Sequence, residues 1–119
     1  MQQYWGEHLI LDCAGGNDNI KDRQQLYDFV KELVIAIDMK AYGEPLIEHF
    51  ATHAANKSGF SLVQLIETSN ITGHFVDLNG DFYLDIFSCK HVDDKIAMEV
   101  VNKYFAPKYI KKHFLTRQA

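Results

Sequence analysis

The stretch Phe60-Ser61-Leu62-Val63-Gln64-Leu65-Ile66-Glu67-Thr68-Ser69-Asn70-Ile71-Thr72-Gly73-His74, continued through Asn79-Gly80 to Phe82-Tyr83-Leu84-Asp85-Ile86-Phe87-Ser88-Cys89, decides how the rest of the chain is read. From Phe60 to Thr68 the side chains alternate. Leu62, Gln64 and Ile66 fall on one side and Ser61, Val63, Leu65 and Glu67 on the other, as in a half-buried strand. Ser69-Asn70 interrupts the pattern and Ile71 to Val76 resumes it. Phe82 to Cys89 then runs back after Asn79-Gly80, a hairpin signal because both residues tolerate positive φ. With these two residues at the centre of the turn, His74 faces Asp85, Ile71 faces Ser88, and Cys89 falls opposite Asn70 beside Ser69. That register predicts a hydroxyl, an imidazole and a thiol at one end of one hairpin.

Working outward, Tyr4 to Cys13 reads as a strand with Trp5, Leu9 and Leu11 on one face, and Gly15 to Asn19 supplies a turn and helix-start residues. Between Asp22 and Met39, Leu26, Phe29, Val30, Leu33, Val34 and Ile37 follow helical spacing and make a stripe wide enough to lie on a sheet. Gly43 and Pro45 punctuate the chain before a short strand, Leu46 to Ala51, and Thr52 to Gly59 reads as a loop. Asp93 or Asp94 caps a second helix to Phe105, with Ile96, Val100, Val101 and Tyr104 on its apolar face; Pro107 ends it, and Tyr109 to Leu115 is a final strand. The order predicts an α+β fold, an antiparallel-rich sheet with two helices on one face. The other face then needs a cover. A second copy of the chain, stacked sheet to sheet, would make a homodimeric αββα sandwich.

With 119 residues, 47% apolar and 24% charged, the composition is that of one globular domain spanning 1–119. The net charge of −4, with no basic cluster beyond Lys111-Lys112, speaks against nucleic-acid binding. No apolar run suits a membrane span, and Met1 to Trp5 lack a basic start and a long apolar stretch, so a cytoplasmic location is expected. Cys13 and Cys89 are far apart and no export signal is read, so no disulfide is expected and Cys13 reads as a small buried hydrophobe. The six histidines lack metal-ligand spacing, and no metal site is expected.

Ser69, at a break between strands, is a turn residue by default. A break can also hold a backbone in strain, and a serine near a base can then attack a peptide carbonyl. The pattern Ser61 … Ser69-Asn70-Ile71-Thr72-Gly73-His74 … Asp85-Ile86-Phe87-Ser88-Cys89 resembles the prokaryotic S-adenosylmethionine decarboxylase proenzymes. Their motif is broadly Ser … Glu-Ser-His-Ile-Ser-Ile-His … Asp-Phe/Ile-Phe-Thr-Cys, and the spacing matches without gaps. The resemblance implies self-cleavage between Thr68 and Ser69, with Ser69 converted to a pyruvoyl group that serves as the cofactor. It also implies His74 as the processing base, Cys89 as the catalytic acid and Ser61 as a supporting hydroxyl. Thr68 and Asn70 stand where the family has Glu and His, and Phe75-Val76-Asp77-Leu78 replaces Thr-Trp-Pro-Glu. The family's Glu is a ribose ligand that Leu78 cannot imitate, leaving Asp77 and Asp81 as nearby candidates for substrate binding.

Three readings remain open at this point. One is a decarboxylase of S-adenosylmethionine that feeds spermidine synthesis. The second is a pyruvoyl decarboxylase of the same fold acting on arginine or ornithine, motivated by Leu78. The third is an unprocessed, non-enzymatic binding or regulatory subunit, motivated by Thr68 and Asn70.

Overall fold

In the computed structural model, which describes residues 2–119, six strands form one antiparallel sheet in the spatial order β2-β3-β4-β5-β1-β6. They are β1 (Gly6–Ala14), β2 (Leu46–Phe50), β3 (Gly59–Ile66), β4 (Ser69–Phe75), β5 (Phe82–Ser88) and β6 (Tyr109–Arg117). Met1, which entered the reading of the chain's start, lies outside the described residues. Helix α1 (Arg23–Ala36) makes the crossing from β1 to the far edge at β2, after a 3₁₀ turn at Asp18–Lys21; α2 (Asp94–Phe105) makes the crossing from β5 to β6.

Both helices start on an aspartate. Asp22 accepts from the amides of Gln24 and Gln25, and Asp93 from that of Ile96, each satisfying donors that the first turn leaves free. Their apolar stripes, Leu26, Phe29, Val30, Leu33 and Val34 on α1 and Ala97, Val100, Val101 and Phe105 on α2, are buried. Phe105 ties the layers together, its ring 4.7 Å from Phe29 and 5.1 Å from Phe82. Beneath the helices the sheet contributes Leu9, Leu11, Leu62, Ile71, Phe75, Phe82, Leu84 and Ile86, each at most 1% exposed. On the opposite face Leu46, Phe50, Val63, Leu65, Tyr83, Tyr109 and Leu115 are 39–64% exposed, an apolar surface of a kind soluble monomers seldom leave open.

Three expectations change. Ser69 does not interrupt a strand. The chain turns at Glu67-Thr68, Ile66 pairs with Ser69, and Ser69 is the first residue of β4. The β4–β5 register is two positions off the expected one, with Thr72 facing Asp85, His74 facing Tyr83 and Ser69 facing Ser88. The cause is the turn. Only Gly80 takes positive φ (79°), and the amides of Val76 and Gly80 bond to the carbonyls of Asp81 and Val76, so the connection spans four residues rather than two. A two-residue slip keeps every side chain on its expected face. Finally, Trp5 does not join Leu9 and Leu11. It is 53% exposed, against Phe87 on the uncovered face, because the strand starts only at Gly6. A Cβ at Gly6 would lie 2.7 Å from the Ser88 carbonyl oxygen, so glycine is needed where the chain enters the sheet.

Candidate active site

The Thr68–Ser69 peptide sits at the exit of the tight turn between β3 and β4. Ser69 has φ 155°, a conformation that residues other than glycine rarely adopt. The Thr68 carbonyl accepts the Cys89 amide at 2.9 Å, just past the end of β5. Cys89 therefore stands beside the Thr68–Ser69 bond rather than opposite Asn70, and an N–H donor points at the oxygen on which charge would develop if Ser69 Oγ attacked that carbonyl. Cys89 is half-buried and free of any disulfide. Burial pushes the other thiol, Cys13, up to about 12, which leaves it inert at neutral pH.

His74 lies elsewhere. It is five residues along β4 from Ser69, about 17 Å at the rise of an antiparallel strand. It also faces the uncovered side, whereas Ser69 shares the parity of the buried Ile71 and Phe75. Its partner is the facing residue on β3: Ser61 Oγ and His74 Nδ1 are 2.8 Å apart, and His74 Nε2 is 2.9 Å from the Lys57 carbonyl. That carbonyl can only accept, so Nε2 carries a proton. Nδ1 of the neutral ring is then an acceptor for the Ser61 hydroxyl. The four expected residues thus fall into two pairs, Ser69 with Cys89 at one end of β4 and Ser61 with His74 at the other.

Asp77 and Asp81, the candidate substrate ligands, each engage neighbours through one carboxylate oxygen, while Asp77 Oδ1 is buried with no hydrogen-bond partner among the described residues. Asp77 Oδ2 lies 2.7 Å from His49 Nε2 and 3.3 Å from Ser58 Oγ, and the Asp77 amide donates to the Ser58 carbonyl. Asp81 accepts the Gly15 amide at 3.0 Å. Both fasten the β4–β5 turn to neighbouring loops, while Leu78 is 65% exposed at its tip.

Two features near Cys89 were not read from the sequence. Trp5, Phe87 and Arg117 border an open cavity of about 360 Å³ on the uncovered face, with the two rings 5.7 Å apart and the Arg117 guanidinium 4.9 Å from the Phe87 centroid. The signal was Gly6, which separates Trp5 from the strand pattern. The second is Glu7, 2% exposed, whose carboxylate accepts from the Tyr4 hydroxyl (2.6 Å), the Val92 amide (2.8 Å) and His91 (2.9 Å). Burial pushes its carboxyl up, but these partners together hold it below the ordinary carboxylate value. Glu7 thereby pins the segment that follows Cys89, and no sequence pattern marks it.

Comparisons with known proteins agree on one family. The family model described as S-adenosylmethionine decarboxylase matches residues 7–118. The chain is 28% identical, over 81% of its own length and 73% of the relative's, to the S-adenosylmethionine decarboxylase proenzyme of Geobacillus kaustophilus, and 27% identical over the same shares to that of Anoxybacillus flavithermus. Its fold is similar to the crystal structure of the adenosylmethionine decarboxylase from Aquifex aeolicus, with a TM-score of 0.81 over 99% of this chain and 94% of that one at 20% identity.

Proposed function

The chain belongs to the S-adenosylmethionine decarboxylase family, and on that premise we propose that it is a proenzyme that cuts itself between Thr68 and Ser69 to become a pyruvoyl-dependent decarboxylase. The observation that carries the reading is the Cys89 amide bonded to the Thr68 carbonyl next to a serine at φ 155°. Ser69 Oγ adds to the Thr68 carbonyl carbon. The peptide C–N bond breaks, the nitrogen takes up a proton, and an ester remains between Thr68 and the Ser69 oxygen. A base then removes the Ser69 α-proton while the Cβ–O bond breaks, releasing Thr68 as a carboxylate. One water displaces ammonia from the dehydroalanine that is left, giving a pyruvoyl group at position 69. When present, that group supplies a carbonyl that condenses with a substrate amine and takes up the electron pair freed as carbon dioxide departs. Cys89 is the acid that returns a proton to the substrate α-carbon.

His74 is the base in this scheme, and Ser61 supports it, but neither reaches Ser69 within one chain. Both stand on the apolar uncovered face. A two-fold axis lying between two such faces and across the strands sets the Ser61–His74 end of one copy over the Cys89 end of the other, where Ser69, though of the covered parity, lines a cavity with Leu65 and Glu67 of the uncovered side. The working unit is therefore a homodimer with shared sites. Its substrate is S-adenosylmethionine, and the decarboxylated product is the aminopropyl donor for spermidine synthesis.

Intact mass of the purified chain tests the reading. Two pieces are expected, 1–68 and 69–119, the second blocked to amino-terminal sequencing, and Ser69→Ala stays whole. A wild-type chain that remains full length on prolonged incubation overturns the proposal and leaves the non-enzymatic, unprocessed reading. One observation favours a second substrate: with Leu78 at the family's ribose-ligand position, and Asp77 Oδ2 and Asp81 Oδ1 bonded to His49 and the Gly15 amide, a smaller amino acid such as arginine or ornithine fits the missing contact. Carbon dioxide release from each substrate by the processed protein separates the two.

A further inference from the structure

Ser69 holds a backbone conformation that its surroundings must enforce, and the residue before it is bonded to the end of β5 on the other side of the turn. Thr68 is fastened at its carbonyl and at its hydroxyl. Its carbonyl accepts the Cys89 amide at 2.9 Å, while its hydroxyl accepts from Ser88 Oγ at 2.8 Å and donates to Met39 Sδ at 3.3 Å. Ser88 is the register partner of Ser69 and is completely buried. The Ser88 hydroxyl in turn accepts the Lys90 amide at 3.0 Å. An amide can only donate and a thioether only accept, and Met39 Sδ lies nearer Thr68 Oγ1 (3.3 Å) than Ser88 Oγ (3.6 Å), which favours the order Lys90 N–H to Ser88, Ser88 O–H to Thr68, Thr68 O–H to Met39. The Thr68 hydroxyl is thereby withheld from its own carbonyl and from Ser69. Ser88 is the central member, because it links the strand end that carries Cys89 to the residue that carries the carbonyl under attack.

We propose that Ser88 is a positioning residue for self-cleavage, acting through Thr68 to hold the scissile carbonyl between Ser69 Oγ and the Cys89 amide. The proposal rests on the self-cleavage reading above and deepens it. It also explains how a chain with threonine in place of the family's glutamate at position 68 keeps its reacting peptide in place. Ser88 touches no reacting atom. Its removal frees Thr68 to rotate, and a misplacement near 1 Å at a reacting centre costs on the order of a hundredfold in rate.

The experiment follows the 1–68 and 69–119 fragments by intact mass in freshly synthesised full-length chains, with and without hydroxylamine at neutral pH, which cuts an ester; cleavage at Asn79-Gly80, the peptide bond hydroxylamine attacks under alkaline conditions, is told apart by its mass. Ser88→Ala and Thr68→Val, each lacking the Ser88–Thr68 bond, are expected to slow cleavage by roughly ten- to a hundredfold. Hydroxylamine should not restore their rate, because the ester itself forms slowly. Ser88→Thr, which keeps the hydroxyl, should stay within about threefold of wild type by the same argument. A folded Ser88→Ala that cleaves at the wild-type rate, or whose rate hydroxylamine restores, overturns the proposal. If Ser88→Ala does not fold, Thr68→Val, matched to threonine in shape, decides on the same criteria. Indifferent variants beside a cleaving wild type sink this proposal alone, whereas a wild type that never cleaves sinks self-cleavage and this proposal together.

Discussion

At one end of β4 the chain turns over four residues with Gly80 at φ 79°; at the other it turns over Glu67-Thr68 and meets a serine at φ 155°. The first turn is anchored on three sides. The Gly16 amide bonds the Gly80 carbonyl at 2.9 Å, Asp81 holds the Gly15 amide, and Asp77 holds His49. The second opens on a cavity lined by Tyr42, Leu65, Ile66, Glu67 and Ser69. A relaxed turn uses glycine where the backbone demands it. The other places a nucleophilic side chain at such a position, beside an amide donor and a thiol. Strain without glycine at one end and a histidine bonded to Ser61 at the other are, in the proposed reading, two halves of one reaction.

The largest effect tests that division. Ser69→Ala lacks the nucleophile but retains His74, and His74→Ala the reverse, so each alone should remain uncleaved. If the halves meet across two copies, unfolding and refolding an equimolar mixture should produce cleavage of His74→Ala chains only, with Ser69→Ala chains intact in the same tube. Tagged chains resolved by mass give the count. No cleavage in a mixture shown to contain mixed dimers would place the base within the chain after all, and the separation of the two ends of β4 would lose its meaning.

Much of this arrangement was legible before the structure. Alternation separates Leu62, Gln64 and Ile66 from Ser61, Val63, Leu65 and Glu67, and the structure buries the first set, because a half-buried sheet writes its two sides into the sequence. Turn length was not written so directly. Asn79-Gly80 suits a two-residue connection as well as the observed longer one, and the choice depends on the bonds between Val76 and Asp81. The slip moved Cys89 from Asn70 to the Thr68 carbonyl, a gain in chemical sense. His74 was misplaced for another reason: five residues are near in sequence but far along an extended strand. Asp77 and Asp81 looked like ligands because a carboxylate near a site invites that reading. In the structure the Gly15 amide bonds one oxygen of Asp81, and His49 and the Ser58 hydroxyl bond one oxygen of Asp77.

A second test works on the anchored turn. Gly80→Ala puts a Cβ 2.4 Å from the Gly16 carbonyl oxygen and a side chain at φ 79°. Steric contact with backbone and a disfavoured conformation act together, for a loss of about 2 kcal/mol. Denaturant unfolding of an uncleavable Ser69→Ala background, with and without Gly80→Ala, measures it. An unchanged midpoint would mean that this turn is as tolerant as an open loop, and the contrast with the Thr68–Ser69 turn would disappear.

The smallest effect is the most pointed, because it asks whether strain is present at Ser69 at all. Ser69→Ala and Ser69→Gly both lack the hydroxyl, so neither cleaves and their stabilities can be compared as intact chains. In an ordinary strand position glycine is the less stable of the two by about 0.5–1 kcal/mol, since it loses more backbone freedom on folding. At φ 155° alanine meets the same steric cost as serine, of order 1 kcal/mol or more, and glycine does not. The two terms oppose each other. Strain therefore predicts Ser69→Gly to equal or exceed Ser69→Ala in unfolding midpoint, by no more than about 1 kcal/mol. If Ser69→Gly is instead weaker by the full glycine penalty, Ser69 sits in ordinary extended backbone. Cleavage would then have to depend on the Cys89 amide and the placement of the base, with no help from a strained peptide.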